Sequence, residues 1–481
     1  MTSKELKFIP IVLLFAILSF CEVSAKVKLP AIVSSHMVLQ RNTTVVLWGW
    51  ADANEKIIIK ASWLKKPLSL KADNSGNWRV EVKTNDSKVP QTITIKDQSS
   101  KIVLEDILFG EVWLCSGQSN MFQPVKGYSQ GQPTSNAMMA SVKAKFANVR
   151  LFSVDREKAK EPLSDLKGYK AWEKANANNV MDFSAVGWFF GQQLQEILDV
   201  PVGIIHSSYG GTPVRAWMSK ESVSPFENVD LSDLKLEKIA AGKPTILYNA
   251  MIQPLIPYTI KGVLWYQGEA NRRQPGKYKK YLSAMVSDWR ARWGIGDFPF
   301  YFVQIAPFDY KPGKFKAVNT AFMREAMAEC VDLIPNSGIA ITMDIGDEKR
   351  IHPPFKKEVA DRLLLLALEQ TYGFDHVDGK SPKYESMQVV NDTIKLSFKH
   401  AETGLFAYDK LLGFEIAGED QVFYPAEAMI ENGNSVVVYS EEVKQPVAVR
   451  YAWRNWVKGT LFDNNLLPAS SFRTDDWESS E

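Results

Sequence analysis

The 481-residue chain carries 57 Lys and Arg against 55 Asp and Glu, and no long basic run interrupts it. That near-neutral balance lacks the electrostatic footprint of a nucleic-acid-binding protein, so no nucleic-acid partner is expected. Three cysteines and five histidines form no cluster at metal-ligand spacing, and no glycine-rich phosphate loop occurs, so neither a metal nor a cofactor is expected.

In chain order, Met1 to Ala25 reads as a signal peptide. Lys4 and Lys7 give the positive start, Phe8 to Phe20 the apolar core, and Val23-Ser24-Ala25 the small residues before a cut at Lys26. A core of about 13 residues is short for a membrane span, and no other segment approaches that length. The expectation is an exported protein, periplasmic or secreted. Cys21 raises a lipoprotein alternative, but Phe20 is too large for the position before a lipidated cysteine. The remaining length, about 455 residues, exceeds one compact core, and two or three domains are expected.

Residues 26–105 alternate apolar and polar side chains in short runs such as Thr44-Val45-Val46-Leu47-Trp48 and Thr92-Ile93-Thr94-Ile95, separated by turns such as Asn74-Ser75-Gly76-Asn77. This is an all-β sandwich pattern. Residues 106–379 alternate strand-like and helix-like segments. Helices are expected over Ala185 to Leu198, Tyr278 to Trp293 and Lys356 to Gln370, on a mostly parallel sheet covered on both faces. Residues 380–481 return to short strands and read as a second β-rich domain. The predicted architecture is therefore α/β, flanked by small all-β domains.

Four strand ends carry the chemistry. Apolar residues Val112-Trp113-Leu114 run into Cys115-Ser116-Gly117-Gln118-Ser119-Asn120-Met121. A glycine there allows a sharp turn that exposes Ser119, a nucleophile if a histidine lies within reach, an ordinary turn residue otherwise. Val202-Gly203-Ile204-Ile205 leads to Tyr209-Gly210-Gly211-Thr212-Pro213, whose backbone N–H groups either face a ligand or belong to a plain glycine turn. Gly262-Val263-Leu264-Trp265-Tyr266 is followed by Gln267-Gly268-Glu269-Ala270-Asn271, and the Gln267 amide is a candidate oxyanion donor. Ile339-Ala340-Ile341-Thr342 leads through Asp344 and Asp347 to His352-Pro353. In a parallel α/β sheet the active site lies beyond the strand C-termini, where all four motifs fall.

These segments resemble the sialate O-acetylesterase family of the SGNH hydrolase superfamily. The resemblance rests on Ser116-Gly117-Gln118-Ser119-Asn120-Met121, Gly210-Gly211-Thr212-Pro213 with Ala216-Trp217, Trp265-Tyr266-Gln267-Gly268-Glu269-Ala270-Asn271 and Ile351-His352-Pro353, in the family's order. It covers nearly the whole chain after the leader. It implies a three-layer SGNH-type hydrolase domain, with Ser119 as acyl-accepting nucleophile and His352 as general base. It further implies an oxyanion hole of the Ser119 and Gly211 N–H groups with the Gln267 side chain. One departure stands out. Relatives carry Asp two residues before the histidine, or three before it in the wider superfamily, where this chain has Arg350 and Lys349. A cation cannot hold an imidazole in the right tautomer. The third member is then Asp347, or Asp344, or the site is a Ser–His dyad; Asp347 is the expected one.

Of the five histidines, His36, His206, His376 and His400 read as structural, and His352 alone combines a strand-end loop, nearby carboxylates and a following helix. Trp217 is the candidate to line the cleft, and Arg215 to pair with a sialic-acid carboxylate. Glu269 and Asn271 complete the substrate side of the site as supports rather than reacting groups. Cys115 and Cys330 are either a disulfide or two buried thiols. The expected activity is that of a carboxylic ester hydrolase acting on acetylated carbohydrate. Acetylated sialic acid is the first choice of substrate and acetylated xylan or another plant glycan the second. A non-catalytic carbohydrate-binding protein on a decayed hydrolase fold is the alternative of a different class.

Overall fold

The computed structural model describes residues 26–129, 131–231, 235–310 and 319–477; the expected leader, with Cys21, lies outside them. Among the described residues seven strands form the main path of an 11-stranded sheet: β1 (Lys101–Gly117), β2 (Val149–Val154), β3 (Tyr169–Lys174), β4 (Val202–Ser208), β5 (Gly262–Tyr266), β6 (Phe300–Val303) and β7 (Ser337–Ala340). Their spatial order is β7-β6-β5-β1-β4-β2-β3. Every neighbouring pair is parallel except β2 with β3. Every residue of β4 and β5 is buried, which is why these strands read as unbroken apolar runs rather than alternating ones.

The two-residue period of a strand sorts side chains to opposite faces. Trp113, Cys115, Leu264 and Tyr266 face a core shared with helices α2 (Ala185–Leu198) and α5 (Lys356–Gln370). Val112, Leu114, Val263 and Trp265 face the other, shared with α3 (Pro275–Trp293) and α4 (Ala321–Leu333). Cys115 belongs to the first core and Cys330 to the second, so the sheet separates them and both are free thiols. Burial pushes the Cys330 thiol up to about 12, which keeps it protonated and inert.

The N-terminal β segment is not a detached unit. The first half of β1 pairs antiparallel with Gln91–Lys96 of that segment, while its second half is the central strand of the hydrolase sheet. The boundary expected at 105/106 thus falls inside one continuous strand, where Asp106 takes a left-handed φ of 53°. The C-terminal region forms antiparallel sheets, one pairing Lys383–Val390, Thr393–Lys399, Ser435–Tyr439 and Glu427–Glu431. It is pinned to the hydrolase core by Arg324 of α4, fully buried, which donates to the carbonyls of Ala452 and Arg454 at 3.0 and 2.7 Å and to Ser471 Oγ at 3.0 Å. The Gly459 N–H also bonds the Met343 carbonyl at 3.0 Å, which braces the loop leading to His352. Among the described residues no helix is long and apolar enough to cross a membrane.

Candidate active site

The turn at the end of β1 is fixed by Gly117. Its φ is 132°, and a Cβ there would lie 2.2 Å from the Tyr266 carbonyl oxygen, so only glycine fits. The Gln118 N–H bonds that same carbonyl at 2.9 Å, tying the turn to the end of β5. Ser119 then opens the single-turn helix α1 (Ser119–Phe122). Its own N–H, at a helix start, has no backbone acceptor. The Gly210–Gly211 loop after β4 lies alongside: a Cβ on Gly210 would sit 3.4 Å from Ser119 Cβ, while a Cβ on Gly211 would meet open space. Among the described residues the N–H groups of Ser119 and Gly211 make no hydrogen bond. Free backbone donors beside a half-buried serine hydroxyl suit a developing oxyanion.

The Gln267 side chain does not join them. It is fully buried, and its amide nitrogen donates to Gln118 Oε1 at 3.2 Å, the Thr212 carbonyl at 3.1 Å and Asn271 Oδ1 at 2.8 Å. Both of its N–H groups are consumed, which corrects the expectation that it is an oxyanion donor. Its effect is on Asn271. Asn271 Oδ1 accepts from Gln267 and from the Val214 N–H at 2.9 Å, so the amide orientation is fixed. Asn271 Nδ2 is left without a partner among the described residues. Trp217 is also corrected. It is fully buried, its indole N–H bonds Thr212 Oγ1 at 3.0 Å, and its ring meets Trp265 edge-on at 6.0 Å. Trp217 therefore braces the Gly-Gly loop from behind rather than lining a cleft. Arg215 is half-exposed and already engaged, bonding the Gly242 carbonyl at 3.3 Å and pairing with Glu227 at 3.1 Å.

The His352 loop is docked onto the Ser119 turn. Asn120 Nδ2 donates to Glu269 Oε1 at 2.5 Å and to the Ile351 carbonyl at 3.1 Å, and Asn120 Oδ1 accepts from Lys356 Nζ at 2.7 Å. Lys356 also bonds the Pro353 carbonyl at 2.8 Å. Glu269 is thus a buried support and not a substrate contact. Burial raises its carboxyl above the ordinary range and lowers the Lys356 ammonium to about 7. Tyr128 bridges the two halves of the site: its hydroxyl donates to the Ser119 carbonyl at 2.7 Å, and its ring meets the His352 ring edge-on at 5.0 Å.

His352 is half-buried. Burial, then the neighbouring Lys356 charge, pull its imidazole down to about 4. Its Nδ1 lies 2.5 Å from Gln132 Oε1, not beside a carboxylate. Asp347, the expected third member, spends Oδ1 on the N–H groups of Lys349 and Arg350, both at 2.9 Å, and Oδ2 on the Arg350 guanidinium at 2.9 Å. Asp344 is locked in a pair with Arg362 at 2.8 and 2.6 Å. Neither acid touches His352 in this structure. No hydrogen bond joins Ser119 Oγ to His352 among the described residues; such contacts often close only when substrate is present. His206 and His36 are structural, bonded to Ser208 Oγ at 2.6 Å and to Asp106 at 2.8 Å.

Three contributors escape a reading of the sequence: Tyr128 and Gln132 on the loop after α1, and Arg156 beyond β2. The exposed Arg156 guanidinium lies over the Phe122 ring at 4.9 Å and the Tyr209 ring at 5.8 Å, one residue from each side of the Ser119–Gly210 contact region. Among the described residues no carboxylate pairs with it. Asn120 had a signal, since it lies inside the serine motif. The other three lie in polar loops with no periodicity to mark them.

Similarity to known proteins agrees with this geometry. The family model for carbohydrate esterase, sialic acid-specific acetylesterase, matches residues 110–353. The sialate O-acetylesterase of Homo sapiens is 29% identical over 465 residues, covering 88% of this chain and 87% of that one. The Rattus norvegicus protein of the same name is 29% identical over 516 residues, covering 92% and 93%. The crystal structure of a carbohydrate acetylesterase from Xanthomonas citri superposes with a TM-score of 0.84 at 34% identity, covering 94% of this chain and 100% of that one. The protein is a carboxylic ester hydrolase and belongs to the sialic acid-specific acetylesterase family of carbohydrate esterases.

Proposed function

We propose that the chain removes O-acetyl groups from acetylated sialic acid and related glycans through an acetyl-Ser119 intermediate. The observation that supports this reading is Ser119 at the end of β1, with its own N–H and that of Gly211 unbonded, the Gly210–Gly211 loop alongside it and the His352 loop docked onto its turn through Asn120. His352 Nε2 takes the Ser119 proton as Oγ attacks the acetyl carbonyl. The oxyanion is held by the N–H groups of Ser119 and Gly211 and by Asn271 Nδ2. The sugar alcohol leaves with the proton from His352. Water, activated by the same imidazole, then attacks the acetyl ester and releases acetate.

Arg156 supports an anionic sugar. Its exposed guanidinium, stacked on Phe122 and Tyr209, is placed to pair with a carboxylate while the acetyl group faces Ser119. A neutral acetylated glycan such as xylan is the second reading, favoured by the 34% identity to a protein described only as a carbohydrate acetylesterase. Acetate release from acetylated sialic acid and from acetylated xylan, by the wild type and Arg156→Ala, separates the two. The first reading predicts a preference for the sialylated substrate that falls at least about tenfold in the variant, one lost charge-assisted pair. An unchanged ratio contradicts it. Export to the periplasm or beyond is supported by the sequence pattern of Lys4 and Lys7 before the apolar run Phe8 to Phe20. Amino-terminal sequencing of the mature protein tests this, with Lys26 as the expected first residue.

A further inference from the structure

Two loops lie zipped together beside the imidazole. The Arg350 Nε–H bonds the Gly131 carbonyl at 3.1 Å, His352 Nδ1 meets Gln132 Oε1 at 2.5 Å, and the Ser135 N–H bonds the Pro354 carbonyl at 2.9 Å. The Gln132 carbonyl in turn accepts from the Tyr128 N–H at 2.8 Å, which fixes the backbone from which its side chain springs. On the other side, Asp347 grips Arg350 through both its backbone N–H and its guanidinium. An amide oxygen offers only lone pairs, so Nδ1 must carry the hydrogen and Nε2 keeps its lone pair for Ser119.

We propose that Gln132 is the positioning residue that orients His352 in place of a triad carboxylate, and that the Asp347–Arg350 pair holds Gln132 there. The proposal rests on the reading of Ser119 and His352 as nucleophile and base. It explains how the site tolerates a cation two residues before the histidine: Arg350 does not face the imidazole but clamps the loop that does. It also has a chemical consequence. A neutral amide sets the tautomer but adds no charge to stabilise the imidazolium. The ionisable groups around His352 are Tyr128 from the opposite loop, Lys356 from α5 with Glu269 behind Asn120, and the Asp347–Arg350 pair on its own loop. None is a carboxylate in contact with the ring, in keeping with an imidazole held down at about 4.

The test compares Gln132→Ala, Gln132→Glu and Arg350→Ala with Ser119→Ala and His352→Ala in the full chain. Circular dichroism confirms folding, and kcat, KM and the pH profile of kcat/KM are measured on an aryl acetate. Gln132→Ala is expected to lower kcat at least about 10²-fold with KM little changed. Arg350→Ala lowers it in the same direction. Gln132→Glu restores activity and moves the acid limb of the profile up by about one unit or more, because a carboxylate against Nδ1 favours the charged ring. A merely structural role would leave that limb in place. If Ser119→Ala and His352→Ala are inactive but folded Gln132→Ala keeps wild-type kcat, the Gln132 proposal falls and the Ser–His reading stands. If Gln132→Ala does not fold, an unmoved acid limb in Gln132→Glu overturns the proposal. Activity retained in Ser119→Ala overturns both.

Discussion

Replacing Asn271 with Asp isolates the third oxyanion donor. In the native site Oδ1 of Asn271 holds the Val214 N–H at 2.9 Å and Gln267 Nε2 at 2.8 Å, while Nδ2 is unbonded. Aspartate keeps an oxygen for both buried donors, so the Gly-Gly loop and Gln267 stay in place. It removes the N–H that the proposed mechanism assigns to the oxyanion and puts a second acceptor in its place. Loss of one such donor costs about 10²–10³ in kcat, roughly 2.7–4 kcal/mol of transition-state stabilisation. The added repulsion places Asn271→Asp at or beyond the upper end of that range. Because the donor acts on charge that develops only in the transition state, KM should change little. Asn271→Ala serves as the contrast. It also strips the acceptor from two buried N–H groups, about 1–3 kcal/mol each in stability, so its melting temperature falls where that of the Asp variant holds. Steady-state hydrolysis of an aryl acetate with a thermal melt of each variant provides both readouts. A folded Asn271→Asp enzyme with kcat within about threefold of wild type would refute the assignment and return the role to the two backbone donors alone.

Three further outcomes follow from the same geometry. Trp217→Ala, which empties a fully buried indole site, should cost about 3–5 kcal/mol of stability and loosen the Thr212 support; a melt unchanged from wild type would contradict its place in the core. Arg215→Ala breaks a half-exposed pair with Glu227 and should leave both stability, within about 1 kcal/mol, and the ratio of sialylated to neutral substrate unaltered; a shifted ratio would restore Arg215 to the substrate side. The base must be uncharged to act, so activity is lost as pH falls through the His352 value. With the ring held at about 4, kcat/KM in brief pH-jump assays should stay nearly level down to pH 5 and fall with a midpoint near 4. A midpoint near the unperturbed 6.5 would show that burial does not lower this imidazole.

Much of the architecture was legible because parallel strands buried on both faces are unbroken apolar runs. Val112 to Leu114, Val202 to Ile205 and Gly262 to Tyr266 could be placed, and with them the sheet edge beyond which Ser119 and Gly211 lie. The helices over Ala185–Leu198 and Lys356–Gln370 appear where their spacing put them, and the Tyr278–Trp293 helix begins three residues earlier, at Pro275. What sequence could not supply is the direction in which a loop side chain turns. Trp217 and Gln267 are motif residues, yet both are fully buried, and their indole N–H and amide each find partners within the protein. Asp347 lies five residues from His352, but its carboxylate is captured by the N–H groups of the two residues that follow, a local bond that outcompetes a longer reach. Gln132 and Arg156 belong to polar loops far from His352 and Ser119 in the chain. Only the fold brings them to the site.

The central claim is that acyl transfer passes through Ser119. The most direct measurement is a mass spectrum of peptides from enzyme quenched during turnover of an acetylated substrate, beside the same experiment on Ser119→Ala. One acetyl group is expected on the peptide carrying Ser119 in the wild type and none in the variant, with loss of acetate release by at least about 10³-fold. An acetyl group found elsewhere, or full turnover by Ser119→Ala, would contradict it.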